Sequence, residues 1–278
     1  MSLESVRIFG SDRALLPYLA KHLLEPSCTI LEKDGEYYLL SSDFMDSMTA
    51  DQIYEVTDKL LEVLNSIIKL KYGVGNALSR NREVFPSQKE PSELNRIDDH
   101  NRLVTVRTRG IAARFVLSVG EDFLLAADQQ KPSILTLWRK ARKYSMIRKA
   151  LCYYGKQANW HDLYSVYEII IKNTKKLIGR GKISQATFNS WVIDTSGRNR
   201  EKDFTETANN FNISGTAARH TAEASHKIIR RRGSSSVTVL EPQKRGKSYK
   251  KIVIIPLSIS EAEIFIGNLL KSWIKTKK

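Results

Sequence analysis

The stretch "SILTLWRKARKYSMIRKALCYY" (residues 133–154) marks the point where a mixed sequence pattern gives way to a helical one. Its apolar residues recur at steps of three and four, and Pro132 just before it suits the first turn of a helix. Four basic residues stand between the apolar positions: Arg139, Lys140, Arg142 and Lys143. The stretch therefore predicts one amphipathic helix with a basic side.

The chain after this stretch continues the helical pattern. Helical periods recur in "HDLYSVYEIIIKNTKKLI" (161–178), in "SQATFNSWVIDT" (184–195) with Ser184 as the cap, and in "SISEAEIFIGNLLKSWI" (258–274) with Ser260 as the cap. Residues 216–231 also read as a helix, whereas "SVTVLEPQKRGKSYKKIVIIPL" (236–257) reads as a β-hairpin with a basic tip. The predicted second domain, 131–278, is thus mostly α-helical and carries a basic β-hairpin.

The chain before this stretch alternates strands and helices. Asp34-Gly35 between two apolar runs predicts a hairpin, and Thr49 caps a helical pattern that reaches residue 70. A polar segment with Pro86 and Pro91 predicts a loop, and residues 102–127 hold further strand-like runs. The predicted first domain, 1–130, is an α+β domain with an antiparallel sheet and a regulatory or assembly role.

The charge of the chain is divided unevenly. Residues 131–278 hold 30 Lys+Arg against 10 Asp+Glu, whereas the first 130 residues hold 15 against 20. A basic half commonly faces a polyanion, because each cation placed near a phosphate releases condensed counterions. A nucleic-acid partner is predicted, and a basic, well-solvated surface is the alternative.

The remaining composition predicts a cytoplasmic protein without a cofactor. No apolar stretch is long enough to cross a bilayer, so no membrane contact is predicted. Cys28 and Cys152 lie far apart without a metal-ligand pattern, so neither a disulfide nor a metal site is predicted.

The candidate catalytic residues are Arg219, His220, His226 and Glu168. On a continuous helix, Arg219 and His226 would share a face about 10 Å apart along the axis. A histidine there could serve as general acid or base and the arginine could stabilise phosphate charge, while a ribose 2′-hydroxyl would be the nucleophile. Glu168 could orient the arginine. The alternative is that these are solvated residues in ordinary ion pairs.

A further basic set is predicted to bind the phosphate backbone. It combines the helix side around residue 140, the end of the 216–231 segment and the hairpin: Arg139, Arg142, Lys143, Arg230, Arg231, Arg232, Lys244, Arg245, Lys247, Lys250 and Lys251.

Several short motifs resemble those of a group of bacterial proteins of unknown function, which share W-x-D-L-Y-x-V-x-E, T-A-N, A-R-H and S-x-x-E-A with a late tryptophan. The resemblance covers roughly the last 120 residues. It singles out eleven positions: Trp160, Asp162, Leu163, Tyr164, Glu168, Thr207, Ala208, Asn209, Gly215, Arg219 and His220.

The segment "RHTAEASH" (219–226) is more distantly similar to the HEPN superfamily, helical domains that include ribonuclease toxins and phage-defence effectors. That resemblance implies a metal-independent endoribonuclease of a bacterial defence or toxin type, with Arg219 and His226 in the motif positions and a possible homodimer. The A-R-H motif of the first resemblance points to His220, rather than His226, as the partner of Arg219. RNA is favoured over DNA as the partner.

Two other functions remain open. The chain could be a non-enzymatic DNA- or RNA-binding subunit that recruits a partner protein, or an interaction module whose basic side meets an acidic protein.

Overall fold

The computed structural model describes residues 4–11, 14–86, 132–209, 227–230, 236–242 and 249–277. The chain divides into two compact units. The first consists of Met1–Asn65 and Asn76–Leu135, and the second of Ser66–Gly75 and Thr136–Lys278. The predicted domain boundary at residue 130 lies outside the described residues.

A five-stranded antiparallel sheet is the frame of the first unit, as predicted. Its strand order is β2-β3-β4-β1-β5. The Asp34-Gly35 pair turns β3 into β4 with φ values of 54° and 78°, which is the geometry that an Asp-Gly hairpin turn requires. The strands are β1 (Glu4–Gly10), β2 (Leu24–Glu25), β3 (Cys28–Lys33), β4 (Glu36–Leu40) and β5 (Leu78–Pro86).

Two helices, α1 (Leu15–His22) and α2 (Ala50–Tyr72), complete the described part of this unit. Thr49 caps α2 as predicted: its backbone N–H donates to Gln52 Oε1 at 2.8 Å and its hydroxyl accepts from the Gln52 backbone N–H at 3.4 Å. This 23-residue helix belongs to the first unit up to Asn65 and to the second unit from Ser66 onward.

Strand β5 replaces the loop that the sequence predicts up to Pro86. Its residues are largely polar and show little apolar alternation, yet they pair with β1 through the backbone. The Asn65 side chain fixes the start of β5, because it donates to the Leu78 carbonyl at 2.9 Å and accepts from the Leu78 N–H at 2.8 Å. The strand-like runs predicted at 102–127 lie outside the described residues.

The second unit is largely helical, as predicted. No helix among the described residues is long and apolar enough to cross a membrane. Its helices are α3 (Ile134–Lys143, whose first two residues belong to the first unit), α4 (Ser145–Gly155), α5 (Trp160–Gly179), α6 (Gln185–Val192), α7 (Arg200–Asn209) and α8 (Ile259–Lys275).

The single helix predicted from residue 134 onward is two helices, α3 and α4. The backbone of Tyr144 is extended, with φ −119° and ψ 106°. Its carbonyl accepts from the N–H groups of Ile147 and Arg148 and so begins the second helix. The apolar periodicity continues across this break, which is why the pattern alone did not reveal it.

The core of the second unit is centred on Phe204, which is fully buried. Its ring lies 5.5–6.0 Å, between centroids, from four other aromatic rings on α5 and α8: Trp160, Tyr164, Tyr167 and Phe265. These contacts hold α5, α7 and α8 together.

A three-stranded antiparallel sheet corrects the helix predicted over 216–231. Its strands are β6 (Lys227–Arg230), β7 (Val237–Pro242) and β8 (Tyr249–Ile254), in that order. Ile228 and Ile229 pair with Val239 and Thr238, and β-branched residues of this kind favour a pleated strand. The helix prediction is therefore wrong for residues 227–230. The predicted basic tip, with Lys244, Arg245 and Lys247, lies outside the described residues.

Helix α8 begins at a capping box formed by Ser258 and not at Ser260. The Ser258 hydroxyl accepts from the Glu261 N–H at 3.2 Å, and Glu261 Oε2 accepts from the Ser258 N–H at 2.8 Å. The S-x-x-E-A motif is thus a helix start, because its serine and glutamate satisfy each other's backbone groups.

Candidate nucleic-acid interface

Three of the four candidate catalytic residues, Arg219, His220 and His226, lie outside the described residues. Glu168 is described and is exposed on α5. The motif segments on either side of it meet: Asn209 Nδ2 donates to the Tyr164 hydroxyl at 3.1 Å. The structure therefore brings the T-A-N segment of α7 into contact with the W-x-D-L-Y segment of α5, the helix that also carries Glu168.

Most of the described motif residues have structural roles. Trp160, Leu163 and Ala208 are buried. The Thr207 hydroxyl donates to the Asp203 carbonyl at 2.6 Å and accepts from the Leu257 N–H at 3.2 Å. These residues hold α7 against the segment that precedes α8.

Tyr167 is a half-buried anchor rather than an acid or base. Its hydroxyl donates to Glu201 Oε1 at 2.7 Å. Burial, reinforced by this hydrogen bond, raises the pKa of Tyr167 far above its usual value. The phenol keeps its proton at neutral pH.

The sequence reasoning overlooked a buried carboxylate, Asp203 on α7. Asp203 accepts from Arg198 Nε at 2.5 Å and Nη2 at 2.8 Å, and from the Ile255 N–H at 3.2 Å. The hydrogen bonds from Arg198 to Asp203 raise the pKa of the guanidinium. Among the described arginine–carboxylate pairs, those of Asp203 involve the most buried carboxylate, and the hydrogen bond from Ile255 ties α7 to the residue that follows β8.

The loop "DTSGR" (194–198) presents Arg198 to that carboxylate. Asp194 Oδ1 accepts from the Ser196 N–H, the Ser196 hydroxyl and the Arg198 N–H, at 2.6–3.0 Å. Gly197 lies in the left-handed region with φ 79°, which a glycine adopts without strain. Asx turns and a glycine in this spacing are the signal that could have identified the loop from sequence.

The structure describes only some of the predicted phosphate-binding residues. Arg139, Arg142 and Lys143 are exposed on α3, and Lys251 is exposed on β8. Arg230 and Lys250 are described only as backbone positions of β6 and β8. The others lie outside the described residues: Arg231, Arg232, Lys244, Arg245 and Lys247.

The structure adds cations that the sequence pattern did not group. Gly181, with φ 65°, ends α5 in the left-handed conformation, and Arg180 and Lys182 flank it as exposed residues. Burial lowers the pKa of the half-buried Lys277, just after α8, and both of these charges lie close enough to lower it further. We call Arg180, Lys182 and Lys277 the α8-end cluster.

More cations surround the same end of α8. Lys140 Nζ donates to the Ile274 carbonyl at 3.0 Å, and burial lowers the pKa of Lys140. Burial also lowers the pKa of Lys271, and the charges of Lys71 and Lys275 lower it further. The carboxyl end of α8 is therefore surrounded by positive charge.

The helix dipole accounts for part of this arrangement. Cations at a helix carboxyl end are stabilised by the dipole, which explains Lys275 and Lys277. Arg180 and Lys182 come from a different segment. The cluster residues form no salt bridge with any residue that the structure describes. Like charges without carboxylate partners repel one another, so an anion would stabilise this surface.

A cavity of about 250 Å³ lies at the carboxyl end of α6. Its apolar wall includes Trp191, Ile193, Ile264 and Phe265. Its polar groups are Asp194, Arg200, Glu261 and Asn268. The cavity thus combines an aromatic wall with hydrogen-bonding groups of both kinds.

Comparison with known proteins gives no information on the function of this chain. No protein-family model, curated protein or solved structure matches the chain. The motif resemblances therefore remain predictions, and the function is inferred from the described residues of the second unit.

Proposed function

We propose that the second unit binds nucleic acid, with RNA favoured over DNA, through the α8-end cluster and the exposed basic side of α3. The observation that carries this proposal is the convergence of Arg180 and Lys182 with Lys277, from separate segments, without a described carboxylate partner. A phosphate backbone supplies negative charge at regular intervals, which matches a surface of several cations.

The binding test compares two double variants of the full-length protein. Lys182→Gln with Lys277→Gln should weaken binding of a labelled single-stranded RNA and reduce the salt slope of log Kd by about 1.4, because each lost phosphate contact removes about 0.7. Lys21→Gln with Lys33→Gln removes the same charge at two exposed positions of the first unit and serves as the control. Fluorescence anisotropy at several salt concentrations measures both.

Equal salt slopes for the two double variants would refute the role of the α8-end cluster. Binding that is absent at low salt, together with stable capture of an acidic protein, would instead favour the interaction-module alternative.

The second candidate function is endoribonuclease activity. It is favoured by the contact of Asn209 with Tyr164, because Glu168 is one helical turn beyond Tyr164 and Asn209 directly precedes the segment that carries Arg219. Asn209 Oδ1 is also a buried acceptor that lacks a hydrogen-bond partner among the described residues. A buried acceptor of this kind calls for a hydrogen-bond donor.

The activity test replaces Arg219, His220 and His226 together with alanine. Loss of RNA cleavage without added metal, and loss of any growth toxicity, is the expected result because the acid–base group and the phosphate-stabilising charge are both removed. His161→Ala, at a histidine whose side chain is 73% exposed, is the control. Cleavage by the triple variant at the unaltered rate would refute the catalytic role of these three residues, and absence of cleavage by the wild-type protein would favour the non-enzymatic binding function.

A further inference from the structure

The cavity at the carboxyl end of α6 holds the one tryptophan of this chain that is accessible to a ligand. The chain has four tryptophans, and the structure describes all of them. Trp138, Trp160 and Trp273 are buried, whereas Trp191 is half-buried and forms part of the cavity wall. An aromatic wall of this kind offers a flat surface on which a flat ring can stack.

The rim of the cavity is apolar as well. Ile193 is 44% exposed and Ile264 is 64% exposed, although both are large aliphatic residues. The volume of about 250 Å³ is slightly below the range of about 300–1,000 Å³ that holds drug-sized ligands. A single heterocyclic ring system suits this size better than an extended ligand does.

The polar groups of the cavity select against an anion. Hydrogen bonds from Ser196 to Asp194 and from Ser258 to Glu261 lower the pKa of both carboxyls. The charge of Arg200, the one guanidinium in the cavity lining, lowers both further. Two carboxylates around one cation disfavour a phosphate. They favour a neutral ligand that carries N–H donors, and the Asn268 amide adds a donor and an acceptor.

The cavity and the α8-end cluster lie at opposite ends of the same short helix. Arg180 and Lys182 come before the amino end of α6, and Trp191 stands at its carboxyl end. Helix α6 packs against α8, which contributes residues to the cavity wall and leads into Lys277 of the α8-end cluster. Eight helical residues rise about 12 Å, a distance that a strand covers in three to four nucleotides at about 3.4 Å each.

We infer that this cavity binds one base of a single-stranded RNA, stacked on Trp191 and bonded through its edge to Asp194, Glu261 or Asn268, while phosphates of the same strand lie on the α8-end cluster. This inference rests on the proposed nucleic-acid binding and adds a base contact to it. A surface that held only phosphates would not distinguish single strands from duplexes, whereas a base pocket requires an unpaired base.

The test uses the intact wild-type protein and two oligomers of about ten nucleotides, a length within the usual site sizes of about 4–16. One is a mixed-sequence single-stranded RNA, and the other has the same ribose-phosphate backbone without bases. Anisotropy of a label on each oligomer measures affinity, and intrinsic tryptophan emission measures contact with Trp191.

The RNA should reduce the tryptophan emission, and the abasic oligomer should bind roughly tenfold more weakly without changing it, because it cannot stack. Trp191→Phe should lose the emission change and keep the affinity within a factor of about two, since a phenyl ring still stacks. Trp191→Ala should bind roughly tenfold more weakly. The comparison of the two oligomers needs no variant and therefore does not depend on how well Trp191→Ala folds.

The possible failures are distinguishable. Equal affinity for the two oligomers with no emission change would overturn the base pocket and leave the phosphate surface standing. An emission change that persists in Trp191→Phe would also overturn it. Failure of both oligomers to bind at low salt would overturn the proposed nucleic-acid binding together with the pocket.

Discussion

Replacing Asp203 with alanine is expected to lower the free energy of unfolding of the second unit by about 3 kcal/mol, which is the lower end of the cost of breaking a buried ion pair. Asp203 is 2% exposed. Its removal leaves the Arg198 guanidinium and the Ile255 N–H without their acceptor. Arg198 is itself 29% exposed and can be partly rehydrated, so the loss should not reach the upper end of that range.

The first unit supplies a matched control in Asp58→Ala. Asp58 accepts the same bidentate pair of hydrogen bonds from an arginine, Arg80, at 2.7 and 2.8 Å, but its side chain is 58% exposed. The loss should stay below about 1 kcal/mol because water replaces the partner.

Urea unfolding followed by circular dichroism measures both aspartate variants. Tryptophan emission reports the second unit separately, since all four tryptophans lie in it. If both variants lost the same free energy of unfolding, burial would not be the reason that the Asp203–Arg198 pair stabilises the protein.

Replacing Gly155 with alanine is expected to lower the free energy of unfolding by about 2 kcal/mol, as overpacking of a close contact does. A Cβ at this position would lie 2.0 Å from the Ser66 Oγ, 2.9 Å from its Cβ and 3.2 Å from its Cα. Rotation of the serine side chain cannot relieve the last two contacts, so the backbones must separate. Gly155 is the last residue of α4, so alanine brings at most the gain of about 0.5–1 kcal/mol known from helix interiors, and the cost outweighs it.

Gly179→Ala is the control for that helical gain. Gly179 is the last residue of α5, and a Cβ there would meet nothing within 4 Å. This variant should be neutral or more stable by a few tenths of a kcal/mol. Ser66→Gly combined with Gly155→Ala should recover most of the loss, and a double variant no more stable than Gly155→Ala would locate the strain elsewhere. Thermal and urea unfolding measure the series.

The features predicted correctly are those that short stretches of sequence determine. Asp34-Gly35 forms its turn because those two residues tolerate positive φ. Thr49 and Ser184 cap their helices because each hydroxyl reaches a backbone N–H three residues on. The antiparallel sheet of the first unit follows from such local signals.

The features that were missed depend on partners far away in sequence. Residues 227–230 fit a helical pattern, yet they are a strand because β7 supplies a pairing edge. Arg180 and Lys277 are almost a hundred residues apart, so no window of sequence groups them. Asp203 looks like a solvated helix residue until Arg198 and the Ile255 N–H are seen to converge on it.

The last two turns of α2 bear on how the protein can be dissected. Lys69 belongs to the second unit, where its ammonium donates to the carbonyls of Tyr154 and Lys156 at 3.0 and 2.6 Å and pairs with Glu263 at 2.6 Å. Ser66 fills the space beside Gly155. A fragment that begins near residue 132 would therefore lack a piece of its own interior. An autonomous version of the basic half would have to carry residues 66–75 with it, supplied either as a separate peptide or through a circular permutation.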